Sequence, residues 1–389
     1  MLSQRIKQFR LAKGYSLDEL VAATGGIVSK VSLSKYERNL MKPSNKVLIA
    51  IAKALGVKVI NLALPSNLVF KFIAYRKGSG LTNNEQIKVE SLVSSIIEDR
   101  VKIQDLLYPL VKPNLPVKKY KINSLEEVEN ASVDLRKIWE LGLDPIGNMT
   151  QLLENNFVHV LSINHEKSFD GISALVYTGN KKLKSAVVVS KNNIPGERQR
   201  LNLSHELGHI VLDISENLDE EKAAFRFGGA LLAPKETILK VVGSHREHFQ
   251  LQELLILKQI FGISIQALLF RLLDLKVISK ISFSNWYKTI NKNNWKRNEP
   301  SPMKEEKSHW FETNVLHSFS EGLISSEEAA RLLGNEIAPQ KLSLIKKKEF
   351  LKLSASDRGK ILSEQAEKLL SYYITSNEWK EFGGDLVGY

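Results

Sequence analysis

The sequence predicts a mainly α protein with one small α+β domain. Two observations set that class. Apolar residues recur at helical spacing through most of the 389 residues, the pattern of amphipathic helices. Near the middle that rhythm gives way to VHVLSI (158–163), ISALVYTG (172–179) and SAVVVS (185–190). These are short β-branched runs bounded by turn residues, and they read as strands. The length suits about two to three domains. The division expected is 1–65, a helix-turn-helix unit; 66–121, a helical linker; 122–280, the α+β domain; 281–355, a helical C-terminal region; and 356–389, a partner-binding tail.

Composition narrows the chemistry. There is no cysteine, which excludes disulfides, thiolate metal sites and a Cys nucleophile. Any metal must be held by His, Asp or Glu. The chain opens on an amphipathic pattern and holds no long unbroken apolar run. The expectation is therefore a cytoplasmic protein without a signal peptide or membrane span. The net charge is +12, of which residues 1–62 carry +8. That asymmetry points to an anionic partner for the N-terminal domain, double-stranded DNA first.

Residues 1–62 read as five short helices. Ile6, Phe9 and Leu11 start the first and Gly14 ends it. Ser16 and Glu19 form a capping box for the second. Gly25 and Gly26 make the turn, and Ser29 caps a third helix, SKVSLSKYERN. Its apolar positions Val31, Leu33 and Tyr36 are expected inward. Ser29, Lys30, Ser32, Ser34, Lys35 and Arg38 are left for bases and phosphates. VLIAIAKALGV, apolar nearly all round, is expected as core. Helix, glycine turn and short basic helix make a helix-turn-helix. LSKYERNLMKPSNKVLIAIAKALGV resembles the lambda-repressor/Cro-like (XRE-type) family, with Asn39 where that family usually has Gly. The resemblance implies operator DNA as partner, and half-sites one turn apart if the protein is a homodimer.

A long amphipathic helical stretch over 82–109 and a Pro/Lys-rich linker, 112–122, follow. SLEE (124–127) reads as a capping box before a helix through Trp139. DPIGNMTQLLENNF reads as a helix capped by Asp144 with Pro145 at its first position. After the three strands comes LNLSHELGHIVLD (201–213). His205 and His209 are four apart, so both imidazoles leave one face. Glu206 stands beside the first. In the H-E-x-x-H pattern two His hold zinc and the Glu is the general base.

The stretch from about 122 to 236 resembles the ImmA/IrrE family of zinc metallopeptidases. The carrying residues are LRKIWELGLDPIGNMTQLLENNFVHVL, DGIS (170–173), GERQRLNLSHELGHIVLD and EEKAAFRFGGALLAP. The resemblance implies a zincin-like domain and Zn2+ as cofactor. It also implies Glu221, on the following helix, as third ligand, with Glu220 as the alternative. Phe225 stands where the family prefers Asn, and Gly228-Gly229 where it prefers Ala. Spacing supports Glu221 as well. Glu221, Ala224, Phe225 and Gly228 share one helix face, and the small residues among them suit close helix packing. Three protein ligands leave room for a water at zinc, and Glu206 moves the proton. His245, His248 and Tyr177 are candidates for an oxyanion donor. Asp170 either orients a ligand or substrate strand, or forms a turn.

LKQIFGISIQALLFRLLDLKVIS (257–279) reads as helix, Gly turn and helix, capped by Ser264. Trp286, Tyr287 and Trp295 either stack on nucleic acid or pack a surface loop. The tail couples a charged helix to Glu378, Trp379, Glu381, Phe382, Asp385 and Tyr389. It resembles the toxin-binding ends of bacterial antitoxins, with Trp379, Phe382 and Tyr389 as contacts. A helix docked on the chain's own body with a frayed end is the other reading. Two functions compete on these grounds. One is a DNA-binding regulator whose peptidase cleaves a regulatory protein such as a repressor. The other is an antitoxin that autorepresses its operon and neutralises a co-encoded toxin.

Overall fold

The structure, a computed structural model, describes residues 2–63, 66–75, 82–163, 171–335 and 352–364. The chain divides into two compact units, Met1–Gly334 and Asn335–Tyr389. Of the second unit, residues 355–364 form a helix, and the contact residues expected at 379, 382 and 389 lie outside the described residues, as does Asp170.

Five helices open the first unit: α1 (Leu2–Ala12), α2 (Leu17–Ala23), α3 (Lys30–Glu37), α4 (Asn45–Leu55) and α5 (Val59–Ala63). Local chemistry punctuates them. Ser16 and Glu19 form the capping box, while Gly25 and Gly26 turn left-handed. Ser29 caps α3, and Asn39 takes φ +58° in the glycine position of the motif. Ile6, Leu20, Leu33, Ile51, Leu55 and Leu62 are buried together. Two expectations fail. Val31 is 64% exposed, because it lies two residues from Leu33 and so on the far side of the helix. The fourth helix buries only Ile51, Ala52 and Leu55, with Ile49 exposed, so it is amphipathic rather than core all round.

Residues 66–121 are not a helical linker. They supply β1 (Leu68–Tyr75) and α6 (Asn83–Leu107) to the body of the fold. Next come β2 (Tyr120–Ile122), α7 (Glu127–Ile138), α8 (Met149–Asn155), β3 (Val158–Ile163), β4 (Ile172–Thr178), β5 (Leu183–Lys191), α9 (Gly196–Val211), β6 (Leu212–Ile214) and α10 (Glu220–Leu232). The four-stranded sheet runs β1-β4-β5-β3, with β3 parallel to β5 and the other pairs antiparallel. β3, β4 and β5 are buried on both faces over most of their length, as continuous apolar runs are. Val158, Val160, Ala186 and Val188 face the α7–α13 side. Leu161, Ile163, Val187 and Val189 meet Val93, Ile97 and Val101 of α6. β1 belongs here because Leu68, Phe70 and Phe72 alternate onto the α6 side.

Two helix starts also differ from expectation. No Ser124 box forms; Glu127 Oε2 accepts from Asn123 N at 2.8 Å. The cap of α8 is Asn148, whose side chain accepts from Gln151 N. Pro145 and Gly147 keep the preceding segment in turns.

The chain continues through α11 (Lys235–Val242), α12 (Leu251–Phe261), α13 (Ile265–Asp274), α14 (Lys280–Lys292), α15 (Trp310–Ser320) and α16 (Ser326–Leu333). The pair α12–α13 bends by 90° at Gly262. Its apolarity is that of core: Leu254, Phe261, Leu268 and Leu272 are all buried. No single helix among the described residues is long and apolar enough to cross a membrane. Residues 299–308 then cross the start of α9. Met303 N donates to Glu197 Oε2, and Lys258, fully buried, binds Glu197 and Glu299 at 2.7 Å each. Glu306 accepts from the amides of Met149 and Thr150.

The first five helices dock on α6. Arg5 pairs with Glu98 at 2.6 Å. Burial of Glu328 in α16 opposes its ionisation, but Arg331 at 3.1 Å, Lys102 at 2.6 Å and Lys58 at 2.7 Å outweigh that cost and hold its carboxyl well below the ordinary range.

Candidate metal centre and nucleic-acid interface

The helix α9 is buried along nearly its whole length between the sheet and α10. Two glycines allow that closeness. A Cβ on Gly208 would lie 3.2 Å from Ala224 Cα, and one on Gly228 would lie 3.1 Å from His205 N. Close packing brings the first turn of α10 against the middle of α9. His205, His209 and Glu221 thereby converge. The two Nε2 atoms are 3.1 Å apart. Glu221 Oε2 lies 3.4 Å from His205 Nε2, and Oε1 lies 3.5 Å from His209 Nε2.

This donor set fits zinc. Tetrahedral ligands at bonds of about 2.0–2.1 Å stand about 3.3 Å from one another, close to the 3.1 Å between the two Nε2 atoms, and Glu221 turns one oxygen to each imidazole, Oε2 at 3.4 Å and Oε1 at 3.5 Å. Glu220, weighed as the alternative ligand, takes a different place: its Oε1 is 3.3 Å from His209 Nδ1. A carboxylate there holds the Nδ1 proton and leaves the Nε2 lone pair for a cation. Burial pushes the His209 imidazole below its ordinary value, against the pull of Glu221 and Glu220. The neutral ring is the ligating form.

Glu206 is buried beside His205. Its carboxylate rests on the backbone just before β4: a Cβ on Gly171 would stand 2.8 Å from Glu206 Cδ. The ring of Phe225 lies 4.1 Å from that of His205. The three oxyanion candidates are scattered. His245 and His248 are exposed beyond α11, and Tyr177 is half-buried in the sheet opposite Val69.

On α3 the basic face lies where its sequence predicts, with one residue misplaced. Lys30, Lys35 and Arg38 are exposed. Lys30 is held by Asp18 of α2 at 2.7 Å, an exposed pair that a phosphate can replace at little cost. The Ser29 side chain accepts from Ser32 N, so that hydroxyl serves the cap. Ser32 and Ser34 are half-buried. Val31 joins the outward face, with Ile27 in the preceding turn; its two-residue offset from Leu33 was the available signal. Trp286, Tyr287 and Trp295 pack: Tyr287 stacks on Phe283 at 5.6 Å, and both tryptophans lie against the main core.

Fold and site together define a two-part protein, a helix-turn-helix unit followed by an HExxH domain. Comparison shows what each part is similar to. Residues 6–60 match the helix-turn-helix family model, and residues 166–273 match the IrrE N-terminal-like domain. The HTH-type transcriptional regulator SinR of Bacillus subtilis (strain 168) is 48% identical over 63 residues, 16% of this chain and 55% of that regulator. SinR of Bacillus licheniformis matches to the same extent. The chain thus spans about half the length of the curated relatives it matches, through the XRE-type helix-turn-helix.

Proposed function

We propose that the protein is a DNA-binding transcriptional regulator whose second domain is a zinc metallopeptidase acting on a regulatory protein. The observation that carries the reading is the convergence of His205, His209 and Glu221, with Glu206 beside them. A zinc ion held by these three side chains would supply Lewis acidity toward a peptide carbonyl and lower the pKa of water.

The chain's own residues do the rest. Glu220 fixes the orientation of His209 through Nδ1. Glu206 takes a proton on its carboxylate from the attacking water and hands it to the leaving amine. Gly171, having no Cβ, leaves the space that carboxylate occupies. On α3, Lys30, Lys35 and Arg38 supply phosphate contacts, which position the helix in the major groove. Val31 offers an apolar contact of the kind that thymine methyls accept.

The test compares zinc-loaded wild type with Glu206→Gln in an extract of the source cells, reading new protein N-termini by mass spectrometry. Wild type is expected to generate new termini in a regulatory protein, and the variant none. Identical termini from both proteins would remove Glu206 as the base, and an absence of termini in both would remove the peptidase reading.

A further inference from the structure

A cavity of about 710 Å³ opens beside the metal-capable residues. Its α9 wall is Arg198, Leu201 and Asn202, and His205 follows on the same helix face at i+7, i+4 and i+3. Phe225 is the junction, lining the cavity while its ring packs on that of His205. The opposite wall includes Phe270 of α13 and Trp295. Trp295 lies beyond the span that matches the IrrE-like domain, so the C-terminal region completes the cavity.

The two adjacent glycines of α10 separate packing from space. Gly228 is needed for packing, since its Cβ would press on His205 N at 3.1 Å. Gly229 is not: a Cβ there meets only Arg271 Cδ, at an ordinary 3.8 Å. A glycine inside a helix weakens it, and no neighbour demands this one. What Gly229 leaves is room, because it lines the cavity.

The rim is cationic. Arg198, Lys222, Lys296 and Arg297 line it and are exposed. Of the acids there, Glu197 and Glu299 are both bound to Lys258 at 2.7 Å. Asp274 faces Arg226 and Arg271, and its carboxyl is raised chiefly by burial. An occupant must offer an apolar group to the walls and negative charge to the rim.

We propose that this cavity receives a bulky apolar side chain of the polypeptide cut at the neighbouring centre, with acidic residues of that polypeptide on the cationic rim. This rests on the peptidase reading above. Gly229 sets the size of the accepted side chain, and Phe225 and Trp295 set its apolar character.

The test pans a phage-displayed random heptapeptide library against full-length, zinc-loaded Glu206→Gln protein, which keeps peptides intact. Enrichment of Phe, Tyr, Trp or Leu next to Asp or Glu is expected. The enriched peptide, labelled for fluorescence anisotropy, is expected to bind about tenfold or more weakly to Glu206→Gln carrying Gly229→Leu, which fills the cavity. Arg198→Glu with Arg297→Glu, both at exposed positions, is expected to abolish the acidic preference. No enrichment, a basic or small-residue consensus, or binding to the Gly229→Leu protein within twofold would overturn the proposal. Zinc content and cleavage by the wild-type protein are read separately. Cleavage whose side-chain preference is unmoved by Gly229→Leu overturns the pocket and leaves the peptidase standing. Cavity-dependent binding without zinc or cleavage keeps the pocket and removes the peptidase.

Discussion

Gly171 is the floor beneath Glu206: a Cβ on residue 171 would stand 2.8 Å from Glu206 Cδ. Approaches that short are not tolerated, and Glu206 is only 3% exposed, so Gly171→Ala must displace the carboxylate. The proposed zinc ligands His205, His209 and Glu221 lie on α9 and α10, and the atoms nearest that Cβ all belong to Glu206. Gly171→Ala is expected to lower kcat/KM on a cleaved polypeptide by about 10²-fold with zinc content unchanged, by kinetics and metal analysis on one preparation. Equal loss of metal and rate would make residue 171 a support of the ligands instead.

Glu220 Oε1 lies 3.3 Å from His209 Nδ1, while Glu221 meets the Nε2 of the same ring. Removing the charge that orients a ligating imidazole weakens metal binding by about 10–100-fold. Glu220→Gln is expected to fall in that range in competition with a chromogenic chelator. Wild-type affinity in the variant would return Glu220 to the role of an exposed helix-start acid.

His159 predicts a pH dependence of stability. It is fully buried in β3, its Nε2 lies 3.1 Å from Gln104 Oε1, and burial first and Arg100 second hold its pKa well below 6.5. The unfolded chain therefore takes up this proton before the folded one. The stabilisation is complete above pH 6.5 and is lost as pH falls from there toward the folded-state pKa. Urea midpoints are expected to drop between pH 7 and pH 5 in wild type, and less steeply in His159→Gln. Equal slopes would place the titration elsewhere.

The phosphate contacts proposed for Lys30 and Lys35 of α3 predict a salt-dependent DNA affinity. Reversing Lys30 and Lys35 to Glu is expected to weaken binding to the protein's own promoter. It should also flatten the plot of log K against log salt by about one for each phosphate no longer neutralised. Val31→Ser should change affinity with an unchanged salt slope, since an apolar group releases no counterion. Wild-type gel-shift affinity in the double reversal would move the interface off α3.

What was legible in the sequence was local. His205 and His209 declare themselves through i, i+4 spacing, and the capping box of Ser16 and Glu19 formed as read. The strands of 158–191 were legible because a run buried on both faces is apolar throughout. β1 was not, because Leu68–Tyr75 is placed by Ile172–Thr178, about a hundred residues on. Glu220 and Glu221 are neighbours in sequence, and only the angle at which α10 crosses α9 gives one to Nδ1 of His209 and the other to both Nε2 atoms. Val31 stands two residues from Leu33, an offset that turns it outward on the helix. Gly171 acts by backbone approach, which leaves no side-chain pattern to read, and the segment 299–308 is held by Glu299 and Glu306 bonding to Lys258, Met149 and Thr150, partners far away in sequence.

His205, His209 and Glu221 acting as one zinc site is tested most directly by the metal content of freshly purified protein, measured by inductively coupled plasma mass spectrometry. About one zinc per wild-type chain is expected, and none in folded His205→Ala or His209→Ala. Wild type free of metal, or a His205→Ala protein that keeps its zinc, would contradict it.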